Sequence, residues 1–202
     1  MHSDNPEFWQ EKYFDNDIPW NTKTITPALI QAINHLNGKK IAILGCGYSE
    51  DSIFLADKGH LVYSIDFAAK PIEYLNSIKN EKGISTLFPV QEDIFKLNKR
   101  YSGFFDIVLE YTCFCAIAPK RRPEYIEIVH SILNKKGKFI ALFFPTKIKE
   151  EGLDQGPPFY VDLNNTLSMF ENKFDIIEIN KNPDSIKPRI GFESLVVMTK
   201  NE

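Results

Sequence analysis

The stretch Ile41-Ala-Ile-Leu-Gly45-Cys46-Gly47-Tyr48-Ser49-Glu50-Asp51 carries the clearest chemical pattern in this 202-residue chain. An apolar strand running into Gly-x-Gly and then a helix brings bare backbone close to a ligand and aims free N–H groups at it. Asp66 lies 21 residues after Gly45 (66 − 45), at the end of the next apolar run. A carboxylate there can accept both hydroxyls of a ribose. Gly-x-Gly also occurs as a plain structural turn; joined to the strand, the helix and Asp66, it points to a nucleoside site. A dinucleotide fingerprint needs a third glycine where this chain has Glu50, whose carboxylate would repel a pyrophosphate. The P-loop lysine and its Ser/Thr are missing too. A nucleoside carrying an amino acid and no phosphate suits this turn better, so the expected cofactor is S-adenosyl-L-methionine, with S-adenosyl-L-homocysteine as product. Glu92-Asp93-Ile94 follows a third apolar run. The Asp93 carboxylate and the Ile94 backbone could read an adenine edge, or Asp93 could simply cap a helix.

These residues need a scaffold, and apolar periodicity supplies one. Strands are expected at Ile41–Leu44, His60–Asp66, Ser85–Val90, Phe104–Glu110, Lys138–Phe144, Phe174–Asn180 and Phe192–Lys200. Helices are expected at Pro6–Phe14, Pro27–Leu36 (Thr26 as N-cap, Asn37-Gly38 as stop), Glu50–Lys58, Ala68–Glu81, Pro119–Leu133 and Leu163–Phe170. The Pro119–Leu133 helix should end at Asn134-Lys-Lys-Gly137 and bury Tyr125, Ile128, Val129 and Ile132. Strands alternating with helices predict an α/β sandwich of Rossmann-like class, with a mostly parallel seven-stranded sheet. The last two strands have no helix between them, which places an antiparallel strand at one edge. A polar, Gly/Pro-rich loop spans Thr146–Pro158. Residues 1–202 read as one domain, divided into an N-terminal helical lid (1–37) and an α/β core (38–202).

Composition narrows the function classes. Hydrophobic residues make up 43% and charged residues 25%, which excludes disorder as the main state. Lys+Arg number 24 against 27 Asp+Glu, and the net charge of −3 does not favour a nucleic-acid partner. No apolar run is long enough to cross a membrane, and the first ten residues lack a signal-peptide core. Three cysteines without a zinc-ligand pattern fit a reducing, cytoplasmic setting and no metal. A monomer acting on a small-molecule acceptor is the simplest reading.

The chain resembles the thiopurine methyltransferase superfamily of class I S-adenosylmethionine-dependent enzymes. That superfamily includes plant halide/thiocyanate methyltransferases and bacterial thiol or metalloid methylators. The resemblance covers nearly the whole chain. It rests on Phe8-Trp9…Tyr13 with Ile18-Pro19-Trp20-Asn21, on Gly45-Cys46-Gly47, on Tyr111-Thr-Cys-Phe-Cys-Ala-Ile-Ala-Pro119 followed by Arg122, and on Gly156-Pro-Pro-Phe-Tyr-Val161. The resemblance implies that Trp20 covers the cofactor and that Gly45, with Cys46 and Gly47, lines its methionine end. Asp66, with Phe67 beside it, would bind the ribose, Asp93 and Ile94 would flank adenine, and Glu110-Tyr111 would sit below the sulfonium. Trp9, Phe114, Arg122 and Phe159 would form the acceptor pocket. Glu110 stands where many relatives carry Asp. Phe159 stands where the halide/thiocyanate branch typically has Tyr, which removes a hydroxyl from the implied pocket.

Methyl transfer to a thiolate joins a cation and an anion into neutral thioethers, and a dry aromatic cage favours that loss of charge. Trp9, Trp20, Phe114 and Phe159 are candidates for the cage. A soft, acidic thiol needs no strong base, in keeping with the lack of a His–carboxylate pair. Arg122 is the candidate for holding an anionic acceptor, or else a solvated member of Lys120-Arg121-Arg122; Arg189 is a further candidate. Cys113 and Cys115 share a side if their segment is extended, and read best as small buried residues. Gly156-Pro-Pro-Phe-Tyr160 differs from the Asp/Asn-Pro-Pro-aromatic signature of amino-methylating enzymes and reads as a rigid loop wall. The expected activity is methylation of a small thiol. The alternatives are a halide, thiocyanate or selenium/tellurium oxyanion as acceptor, or a non-catalytic binder of the same fold.

Overall fold

A computed structural model describes residues 4–147 and 156–201. Its seven strands are β1 (Lys40–Leu44), β2 (Leu61–Asp66), β3 (Leu87–Gln91), β4 (Phe105–Tyr111), β5 (Leu133–Phe143), β6 (Phe174–Asn180) and β7 (Ser194–Lys200). They form one sheet in the order β3-β2-β1-β4-β5-β7-β6. Strands β1 to β5 pair in parallel, and β7 runs antiparallel to both of its neighbours. The antiparallel pairing expected at one edge is found there; the reversed strand lies just inside edge strand β6.

The helices are α1 (Pro6–Phe14), α2 (Pro27–Ile33), α3 (Glu50–Asp57), α4 (Ala69–Lys82), α5 (Asn98–Tyr101), α6 (Arg122–Ile132) and α7 (Leu163–Phe170). Strand β1 shows why the sheet is covered on both faces. Ala42 and Leu44 pack into one buried cluster with Phe105, Phe139, Phe143 and Tyr125, while Ile41 and Ile43 pack into the other with Leu29, Val62 and Leu75. Alternation at period two sends successive side chains to opposite layers, so a strand buried on both faces must be apolar throughout. Tyr125, Ile128, Val129 and Ile132 of α6 are buried as expected.

Three local expectations are corrected. Helix α2 ends at Ile33 rather than at Leu36, and Thr26 makes no side-chain cap. Its hydroxyl and amide instead donate to the buried Asp51 carboxylate, each at 2.7 Å, and this fastens α2 to the first turn of α3. The Pro119–Leu133 segment opens as a 3-10 turn over Pro119–Arg121, and β5 begins at Leu133 with no intervening loop. Asp106 draws that segment into the sheet by accepting from Asn134 Nδ2 at 2.7 Å and from Lys40 N at 2.8 Å. The chain after β4 is a series of turns, with Thr112 at φ 61°, so the extended geometry assumed for Cys113 and Cys115 does not occur. Both cysteines are buried. Part of the Thr146–Pro158 loop, residues 148–155, lies outside the described residues.

Leu44 is paired with Ile65 on one side and Glu110 on the other, which sets the carboxyl ends of β1, β2 and β4 side by side. The strand order reverses between β1 and β4. In an open α/β sheet, ligands bind in the crevice at such a reversal.

Candidate active site

The turn between β1 and α3 is built on two left-handed glycines, Gly45 at φ 57° and Gly47 at φ 54°. A Cβ on Gly45 would lie 2.8 Å from Cys113 Sγ, and one on Gly47 would lie 3.0 Å from the Tyr13 hydroxyl. Both positions therefore need glycine for conformation and for space. Ser49 then caps α3, its hydroxyl accepting from Ser52 N at 3.0 Å.

Asp66 closes this turn from the end of β2. Its Oδ2 accepts the Gly47 N–H at 3.0 Å and its Oδ1 accepts the Ala68 N–H at 2.9 Å. Burial pushes the carboxyl up to about 6, with the Ala68, Gly47 and Phe67 amides pulling it back toward the charged form. This corrects the expectation of free donors in the turn. The Gly47 N–H is taken by Asp66, and the Cys46 N–H donates to the Ile65 carbonyl at 3.0 Å. Two of the turn's amides are therefore held within the protein, and Asp66 is the polar side chain that closes it.

A cavity of about 530 Å³ opens in front of this turn. Gly45, Asp66, Phe67, Asp93 and Ile94 border one end. Asp93 also caps a 3-10 turn, accepting from Phe95 N at 3.0 Å, so the capping reading holds alongside its place in the cavity wall. Phe8, Trp9, Tyr13 and Trp20 border the cavity from the N-terminal segment. Trp9 meets Trp20 edge to face with centroids 5.3 Å apart, and Tyr13 meets Trp20 at 5.8 Å. Gln10 fastens α1 to the core, its Oε1 accepting from Ala69 N at 2.9 Å. A smaller recess of about 60 Å³ adjoins Trp20 and Gly45 and is bordered by Cys46, Gly47 and Tyr111.

The acceptor part of the expected site is placed differently. Arg121, Phe144, Pro157, Pro158 and Arg189 border the cavity, whereas Arg122, Phe114, Phe159 and Glu110 do not. Arg122 is buried where α6 begins. Its guanidinium carbon stands 4.6 Å from the Phe114 ring centroid, and its Nη2 donates to the Tyr160 carbonyl at 3.2 Å. Phe114 is fully buried against Tyr125 and Phe143. Phe159 is also buried, and its amide donates to the Cys115 carbonyl at 2.7 Å, which docks the Gly-Pro-Pro loop on the turn after β4. Glu110 accepts from Phe114 N at 2.9 Å and from the Tyr125 hydroxyl at 3.1 Å. Burial pushes Glu110 up to about 7. These four residues brace the cavity wall from behind.

Arg189 faces the cavity with only 5% of its surface exposed. Its Nη2 donates to the Trp20 carbonyl at 3.2 Å, and its guanidinium carbon lies 4.4 Å from the Phe144 ring centroid and 5.0 Å from that of Tyr111. Nη1 forms no hydrogen bond among the described residues. Arg121 stacks 3.5 Å from the Phe95 centroid at the rim and is paired with Glu124 and Asp4. Tyr13 was not a candidate. Its spacing of four from Trp9 puts both on one face of α1, and that signal could have found it.

A parallel sheet with one reversed strand, a cofactor-sized crevice at the switch point and a glycine cradle closed by an acid define a class I S-adenosylmethionine-dependent methyltransferase. The cradle suits this cofactor: its two glycines leave no room for a Cβ against Cys113 and Tyr13, and Asp66 beside it is buried and held by two backbone amides. The chain belongs to the thiopurine S-methyltransferase family, whose model, described as "Thiopurine S-methyltransferase (TPMT)", matches residues 4–202. Thiocyanate methyltransferase 1 of Brassica oleracea is 28% identical over 93% of this chain and 82% of its own. A thiopurine S-methyltransferase of Psychrobacter cryohalolentis is 25% identical over 90% of this chain and 91% of its own. Among solved structures, the Burkholderia thailandensis 1,6-didemethyltoxoflavin-N1-methyltransferase, with its substrate and S-adenosylhomocysteine bound, superposes with a TM-score of 0.75 at 17% identity. That match covers 97% of this chain and 86% of the other. The protein is an S-adenosylmethionine-dependent enzyme that methylates a small thiol or similar nucleophile. Among the described residues, no helix is long and apolar enough to cross a membrane.

Proposed function

We propose that the acceptor is a small thiol taken as its thiolate, with Arg189 as the cation that faces it. The observation that carries this reading is the Arg189 side chain, nearly fully buried at the cavity wall with its guanidinium carbon 4.4 Å from the Phe144 ring centroid. A guanidinium in that setting favours an anionic guest. Among the described residues no histidine borders the cavity, so a thiol acidic enough to arrive ionised fits best. When bound, S-adenosylmethionine supplies the methyl group at a positive sulfur. Asp66 would hold its ribose, Phe67, Asp93 and Ile94 its adenine side, and Gly45, Cys46 and Gly47 its amino-acid end. Trp9, Tyr13 and Trp20 would exclude water, while Phe144, Pro157 and Pro158 would confine the acceptor. Residues 1–37 would act as a cover on the 38–202 core. A reducing cytoplasm fits the three free cysteines, and the net charge of −3 fits a small-molecule acceptor rather than nucleic acid.

Thiocyanate is the second reading, favoured by the Brassica relative. Because Phe159 stands behind the wall, its lack of a hydroxyl does not count against a thiocyanate pocket. Initial rates with an aromatic thiol, thiocyanate, iodide and tellurite, each with S-adenosylmethionine, separate these readings. The thiol should give the highest kcat/KM, and turnover of iodide or thiocyanate alone would overturn it.

A further inference from the structure

Glu193 lies four residues beyond Arg189 and is almost fully buried, at 1% exposed. Its Oε1 accepts the Tyr111 hydroxyl at 2.8 Å and stands 4.0 Å from Arg189 Nη1. Ser185, Tyr111 and Arg189 all favour its charged form against the cost of burial. Arg189 borders the cavity and Glu193 does not, so the carboxylate meets the guanidinium from within the wall. The two aromatic faces and the Trp20 carbonyl fix the rest of the arginine. Such a guanidinium presents a weakened positive field, because a carboxylate at this distance in a poorly solvated site offsets much of its charge. That matters for a nucleophile. Tight ground-state binding of an attacking anion lowers its KM without lowering the barrier it must cross.

We propose that Glu193 is a positioning and specificity-determining residue. Anchored by Tyr111, it aims Arg189 and moderates its charge, so that the cavity takes a weakly held, soft monoanion rather than a strongly hydrated oxyanion of higher charge. This rests on Arg189 being the acceptor's cation. Tyr111 also borders the recess beside Cys46 and Gly47, so the residue that anchors Glu193 adjoins the cofactor turn.

Competitive inhibition against thiophenol tests this, with nitrate as an inert monoanion and the methylated product, thioanisole, as a neutral probe. Glu193→Gln should lower the nitrate inhibition constant by about threefold or more, leave that of thioanisole unchanged, and lower kcat for the thiol. An equal change for both probes, or none, overturns the proposal. Wild-type enzyme gives a second reading that needs no variant: sulfate should inhibit no more strongly than nitrate, and a sulfate constant about tenfold below that of nitrate overturns the proposal. Arg189→Gln separates the two ideas. If nitrate binds it as well as wild type, the reading of Arg189 fails; if Arg189→Gln responds and Glu193→Gln does not, only the role of Glu193 fails.

Discussion

Gly47 donates its N–H to Asp66 Oδ2 at 3.0 Å, so the turn after β1 and the acid ending β2 form one preorganised unit. A carboxylate that already holds two backbone amides in a buried site needs little reordering to accept ribose hydroxyls.

Removing that acid should therefore act on cofactor binding more than on chemistry. Asp66→Ala is expected to weaken S-adenosylhomocysteine binding by about 1–3 kcal/mol, read by calorimetry. Unchanged affinity would remove Asp66 from the site.

Arg122 and Arg189 should separate cleanly. Arg122→Gln loses the stacking on Phe114 and the bond to the Tyr160 carbonyl, so it should lower stability by about 1–3 kcal/mol. Its effect on KM should be the same for charged and neutral acceptors. Arg189→Gln should raise KM for anionic acceptors by about tenfold and spare neutral ones. Thermal melts and acceptor-dependent kinetics read the two outcomes, and the reverse pattern would restore Arg122 as the acceptor's cation.

Gly45→Ala combines a left-handed φ with a Cβ 2.8 Å from Cys113 Sγ. The variant should lose about 2–4 kcal/mol of stability, part of which the added Cys113→Ala change recovers by removing the sulfur. Denaturant titration of the single and double variants checks this. No recovery would mean that the φ strain alone carries the cost.

Glu110 gives a pH signature. Its folded value, pushed up to about 7 by burial, lies above the ordinary carboxyl value of 4.5, so the native state holds a proton that the unfolded chain releases. Stability from this group is full below about 4.5 and is lost as pH rises to about 7, a change on the order of 1–3 kcal/mol. Glu110→Gln should flatten that part of the melting profile while keeping an acceptor for Phe114 N. A slope equal to that of wild type would show that other groups carry it.

The legible part of the molecule was the part governed by short-range pattern. Apolar runs placed β1, β2 and β4, and Gly45, Gly47 and Asp66 marked the crevice at their ends, because turn geometry and strand period depend on neighbours in the chain. The acceptor wall depended on folding. Arg121 and Arg122 are adjacent and chemically alike, yet the passage from a 3-10 turn into α6 sends one to the rim and the other under Phe114. Arg189 gains its place through partners far off in the chain, Trp20, 169 residues away, and the Tyr111 and Phe144 rings. The turn's amides also looked free in one dimension, since their partners, Ile65 and Asp66, sit on the next strand.

Trp20 meets Trp9 and Tyr13 edge to face above Gly47. Trp20→Ala should weaken S-adenosylhomocysteine binding by about tenfold through loss of that aromatic cover. Wild-type affinity would leave Trp20 as packing.

The most direct measurement follows a labelled methyl group. Enzyme, an aromatic thiol and S-adenosylmethionine carrying an isotopic methyl are combined, and products are read by mass spectrometry. The label is expected on the thiol sulfur as a methyl thioether, with S-adenosylhomocysteine formed in equal amount. Label found only on iodide, thiocyanate or a nitrogen acceptor, or no S-adenosylhomocysteine at all, would contradict it.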